Sequence, residues 1–159
     1  MATLVDVVGA RWEANYPLAL GCAGSVMALA FAPQFLNYIF DNKWDVGVLF
    51  SSVFDLAAVA TAFSFTFYAF IVTADGGFIG RMKRSIYYKA LLRFTIVATI
   101  LGGILVIASI PLMIVKPIPA SSWSISCFAV AVWFGLVAAT SAAFFRAARL
   151  FAIFASQHH

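Results

Sequence analysis

The stretch from Val46 to Ala74, VGVLFSSVFDLAAVATAFSFTFYAFIVTA, decides the fold. Its single charge is Asp55. At 1.5 Å rise per residue these residues make a helix of roughly 43 Å, against a hydrocarbon core of about 30 Å. Such a segment crosses a bilayer with surplus at one end. Asp55 lies in the third of the helix nearest the loop 41–45. With successive residues about 100° apart, Ser51, Ala58, Ala62, Thr66, Ala69 and Thr73 fall within roughly 60° of Asp55. Phe54, Phe63, Phe65, Phe67 and Phe70 flank that stripe; Ala57, Ala60 and Ser64 are also small and lie at the back. Small and polar side chains beside an aromatic surface predict a helix that faces protein along its Asp55 side.

The rest of the chain has the same character. Of 159 residues, 64% are hydrophobic and 10% are charged, with a mean hydropathy of +1.01. Soluble domains run near about 25% charged, so an ordinary soluble domain is excluded. The expected fold is an all-α membrane protein, one four-helix transmembrane domain over 1–159 with no separate catalytic or receptor domain.

Residues 1–15 repeat Leu4, Val7, Val8, Arg11 and Trp12 at helical spacing and predict a short interfacial segment. The late apolar run and the lack of a basic start argue against a secretory signal. The first span is expected at about 16–40. Gly21 and Ser25, and Gly24 and Ala28, form small-xxx-small pairs that let helix backbones approach closely. Gln34 and Asn37 follow near the far end, and DNKWD (41–45) turns the chain into the second span, 46–74. In an antiparallel hairpin these amides reach the depth of Asp55, where a hydrogen bond would relieve the cost of polar groups in hydrocarbon. Gly76, Gly77 and Gly80 break the helix, and Arg81, Lys83, Arg84, Lys89 and Arg93 follow. The third span is expected at 94–115 and the fourth at 123–145, with Ser121 or Ser122 capping the latter. Residues 146–159 form a tail able to lie along the surface.

Orientation follows from the basic residues. Arg11, the five in the 75–93 loop, Arg146 and Arg149 make eight on one side, and Lys43 and Lys116 make two on the other. The positive-inside rule then puts both termini in the cytoplasm. Cys22 and Cys127 fall near opposite faces and read as packing residues; the terminal His158 and His159 receive no role.

Enzymatic constellations are missing. The spans hold no His, the chain has no Cys-x-x-Cys and no phosphate-cradling Gly motif, and Asp55 is the only carboxylate in the spans. Neither an enzyme, a cofactor nor a metal is expected. Asp55 has two readings. It either sets helix packing near the outer interface, or lines a water-filled path with Ser51, Thr66, Gln34 and Asn37, where a ring of carboxylates would favour cations. The basic loop also has two. Arg81, Lys83, Arg84, Lys89 and Arg93 either set topology and touch anionic lipid, or receive a nucleotide or oligonucleotide, with Tyr87 or Tyr88 stacking a base. Gly21, Gly24 and Ser25 are the candidate packing face between copies of the chain, because four short-looped helices enclose little interior of their own.

Three functions compete: a homo-oligomeric channel or pore, an accessory subunit docking a larger complex, and a small proton-coupled transporter. Exporters of the small multidrug resistance family carry their carboxylate in the first helix, where this chain has none. The order F-D-L-A-A-V-A-T-A-F-S-F-T-F-Y-A-F (Phe54 to Phe70), the glycine break, and R-S-I-Y-Y-K-A-L-L-R-F (Arg84 to Phe94) resemble small four-helix membrane effectors of bacterial anti-phage defence, such as the channel subunit of Hailong-type systems. The resemblance covers roughly a quarter of the chain and includes no diagnostic catalytic or binding motif. It implies a multi-pass protein of the bacterial inner membrane, held closed until a nucleotide-derived signal arrives from a soluble partner enzyme.

Overall fold

The computed structural model describes residues 4–73, Gly80, Lys83, 88–117 and 124–156, and the side chains of these from Asn15 to Ile153. Among the described residues there are four long helices: α1 (Leu4–Asp41), α2 (Val46–Thr73), α3 (Tyr88–Val115) and α4 (Ile125–Ser156). Each is long and apolar enough to cross a membrane.

The helices outrun the expected spans. Residues 4–15 are not a separate surface segment, since α1 runs unbroken through Pro17 and Pro33. A proline inside a helix removes one hydrogen bond without forcing a break, and membrane helices tolerate it. α3 begins six residues before Phe94, and α4 continues past Arg146 and Arg149. Charges mark where a helix leaves hydrocarbon, not where its backbone hydrogen bonding stops.

The helix ends have specific local causes. At the end of α1 the Trp44 amide donates to the Ile39 carbonyl (3.0 Å) and the Lys43 amide to that of Phe40 (3.0 Å). This is a Schellman closure. Its left-handed position is held by Lys43 (φ 56°), where glycine is the usual choice. α3 ends in the same backbone region, at Lys116 (φ 45°), immediately before Pro117. The cap of α4 is Ser124, whose Oγ accepts the Cys127 amide at 3.4 Å; Ser121 and Ser122 lie outside the described residues.

The chain packs as two compact units. One comprises Met1–Asp45 and Pro117–Ala142, so that α1 meets the first half of α4. Small residues let these two helices touch: a Cβ on Gly21 would lie 2.8 Å from the Ala139 Cβ, and one on Gly135 2.6 Å from the Gly21 carbonyl oxygen. Tyr16 adds a hydrogen bond from its hydroxyl to the Ala142 carbonyl (2.9 Å). Trp133 is buried beside Phe134, which meets Phe35 edge to face with centroids 5.4 Å apart.

The other unit comprises Val46–Lys116 and Ala143–His159. Its buried residues on α2 are Phe50, Ala57, Ser64 and Ile71, seven apart. On α3 they are Leu91, Thr95, Ala98, Gly102, Leu105 and Ser109, alternating four and three apart. That spacing is the seam of two helices lying side by side along their length. Gly102 admits Thr61 and Phe144: a Cβ there would collide with the Thr61 side chain and crowd the Phe144 ring at 3.2 Å. The buried hydroxyls of Thr95 and Ser109 bond to the carbonyls of Leu91 and Leu105, one turn back.

Candidate functional site

The face that α2 turns inward is the opposite of the one expected. Phe50, Ala57, Ser64 and Ile71 all lie within about 40° of the point diametrically opposed to Asp55. The small residues at the back are therefore the ones packed, because they sit where α3 approaches. Asp55, Ala62, Thr66 and Thr73 form an exposed stripe with Val48, Ser52 and Val59. Leu56 and Phe63, each 72% exposed, border it.

The hydroxyls along this stripe are turned back onto their own helix. Ser51 and Ser52 donate to the Val48 carbonyl (3.0 and 2.8 Å), Thr66 to Ala62 (2.9 Å) and Thr73 to Ala69 (2.8 Å). Each hydroxyl has one proton and two lone pairs. With the proton committed to the helix, what remains for a visitor is acceptor capacity. An ionised carboxylate is acceptor-only as well. The face thus offers oxygen lone pairs to a cation or to water, and few donors to an anion.

Gln34 and Asn37 are exposed on α1 in the first unit, while Asp55 belongs to the second. Gly21, Gly24 and Ser25 do make the close approach their spacing predicts, but their partner is α4 of the same chain. Within one chain that surface packs against α4, with Gly24 and Ser25 left half-buried. Cys127 is buried, Cys22 is exposed, and both are free.

The basic residues divide between structural work and exposure. Lys83 donates from Nζ to the carbonyl of Val72 (3.1 Å), at the end of α2. Arg146 lays its guanidinium over the ring of Phe94, 3.3 Å from the centroid. Nothing in the spacing announced that cation–π pair, which joins residues far apart in the chain. Lys89, Arg93 and Arg149 are exposed. Tyr88 packs against the Ile71–Leu91 cluster and is a core contact, not a free stacking ring. Arg81, Arg84 and Tyr87 lie outside the described residues. Among the described residues no cluster of three or more His, Cys, Asp or Glu could hold a metal ion.

Comparison with protein-family models, curated proteins and solved structures finds no match.

Proposed function

We propose that this chain forms a homo-oligomeric cation channel of the bacterial inner membrane, with both termini cytoplasmic and the Asp55 stripe of α2 lining the path. The observation that carries this reading is an exposed carboxylate on a helix apolar enough to cross a membrane. A carboxylate at mid-bilayer costs about 2.5–3.5 kcal/mol on insertion scales, and Asp55, in the third of α2 nearest the 41–45 loop, would bear part of that cost against lipid. Facing Asp55 onto a water-filled axis shared by several copies removes that cost. A ring of carboxylates and inward-bonded hydroxyls then selects for cations. Lys89 and Arg93, exposed at the far end of the same unit, are the proposed contacts for an anionic, phosphate-bearing signal. Such a signal accords with the resemblance to anti-phage effectors.

The test is single-channel current from purified protein in a planar bilayer, wild type beside Asp55→Asn. The substitution keeps the shape and removes the charge. Cation-selective current that weakens or loses its selectivity in Asp55→Asn, with assembly unchanged, is the expected outcome. Identical conductance and selectivity in the two would remove Asp55 from the path.

A second reading, an accessory subunit, is favoured by the bulky apolar residues bordering the stripe, which a larger protein partner could cover. It requires a monomeric purified chain that conducts nothing.

A further inference from the structure

Within the unit of Val46–Lys116 and Ala143–His159, three arginines gather where α3 meets the end of α4. Arg146 lies over the Phe94 ring, and Leu150, one turn on, packs against the Ile71–Leu91 cluster. These contacts seat α4 on α3 and fix which way the neighbouring side chains face. Phe151, the residue after Leu150, meets Phe67 of α2 edge to face at 4.9 Å. Arg149, the residue before, stands about 160° around the helix from Phe151 and so points away from α2. On α3 the seam with α2 runs through Leu91, and Arg93 stands about 160° from it. Arg93 and Arg149, both exposed, therefore flank one side of the α3–α4 contact, with Phe94 and Arg146 between them. We propose that this side binds the phosphate of an anionic phospholipid headgroup.

Charge is the first argument. Guanidinium groups stay protonated in proteins, and three of them at one place repel one another. Among the described residues of this unit, Asp55 is the only acidic side chain. From 55 to 71 is sixteen residues, so Asp55 lies about 24 Å along α2 from Ile71, the neighbour of Leu91. No described carboxylate is near enough to neutralise the three arginines.

Depth is the second. Arg93 is 22 residues from the end of α3 at Val115, and Arg146 and Arg149 are 21 and 24 residues from the start of α4 at Ile125. All three thus stand about 31–36 Å from the opposite ends of their helices, just beyond a hydrocarbon core of about 30 Å. Phospholipid phosphates lie at that level, and basic pockets between membrane helices bind anionic headgroups there. The third argument is geometry. A guanidinium presents a planar fork of donors that fits a phosphate through two parallel hydrogen bonds. Packed helices are about 8–10 Å apart, so long side chains from both can reach one phosphate. A free phosphate shares this chemistry; the depth favours the lipid. The site shares Arg93 with the phosphate contact proposed above, yet it does not rest on the channel reading. A chain that conducts nothing would bind the headgroup equally.

The experiment is native mass spectrometry of the full chain in micelles holding equal amounts of palmitoyl-oleoyl phosphatidylglycerol and phosphatidylcholine. The two lipids share acyl chains and differ in headgroup charge. Preferential phosphatidylglycerol adducts are expected. Arg93→Gln and Arg149→Gln should each lower that preference about tenfold, with helical content unchanged. Lys116→Gln removes the same charge at the far end of α3, well beyond a Debye length, and should change it by less than about twofold. A wild type without headgroup preference overturns the proposal. So does a loss in Lys116→Gln equal to that in Arg149→Gln, which would mark net charge alone. Inorganic phosphate, added at matched ionic strength, should leave the lipid adduct in place. If phosphate displaces the lipid and appears as an adduct itself, the site belongs to a soluble ligand and the lipid assignment fails. None of these outcomes touches the current measured through Asp55.

Discussion

Alanine at Gly135 tests whether α1 and α4 are held by backbone contact. A Cβ there would stand 2.6 Å from the Gly21 carbonyl oxygen and would overlap the Ser25 side chain. Ser25 can change rotamer; the carbonyl is fixed in the helix. Reaching ordinary contact at about 3.4 Å requires the helices to part by roughly 0.8 Å, a gap that forfeits a quarter to a half of each neighbouring dispersion contact. Overpacking of this kind costs about 1–3 kcal/mol, and better helix propensity returns up to about 1. With the propensity gain realised in full, the expected net loss for Gly135→Ala is roughly 0–2 kcal/mol, against a gain for an unobstructed glycine. Gly24→Ala needs only a few tenths of an ångström, since its Cβ would lie 3.1 Å from that of Ala138, and should be near neutral. Gly103, with nothing within 4 Å, should gain up to about 1 kcal/mol as alanine. The assay is reversible unfolding in mixed micelles by added dodecyl sulfate, followed by helicity and by the fluorescence of buried Trp133. If Gly135→Ala proves as stable as Gly103→Ala, the close approach is not what holds these helices together.

Two further outcomes are accessible. Tyr16→Phe deletes the 2.9 Å hydrogen bond to the Ala142 carbonyl and should cost about 1 kcal/mol in the same assay; an unchanged midpoint would mean the hydroxyl contributes nothing net. A reporter fused after His159 should read cytoplasmic, from the imbalance of basic residues; a periplasmic reading would end the proposed orientation.

The apolar runs and the DNKWD turn made the four helices legible. Less legible was which face each helix buries. Small residues occur on both sides of α2, and Ala57 and Ser64 serve α3 while Ala62 and Thr66 remain outside. Period alone cannot separate the two sets, because a membrane helix exposes apolar residues on its outer face as readily as it packs them. The same limit hid the fate of Gly21 and Gly24. Their spacing announces a close helix neighbour, and only the three-dimensional path of α4 shows that the neighbour belongs to the same chain.

Lysines stand at the carbonyl ends of the first three helices: Lys43 after α1, Lys83 on the Val72 carbonyl of α2, and Lys116 after α3. The end of a helix carries the equivalent of about half a negative charge, concentrated on its last carbonyls. Lys83 therefore meets a partial counter-charge supplied by the backbone, in a chain with few acidic side chains to provide one. Lys83 makes that contact directly, Nζ to carbonyl at 3.1 Å, while Lys43 and Lys116 hold the left-handed positions that close their helices.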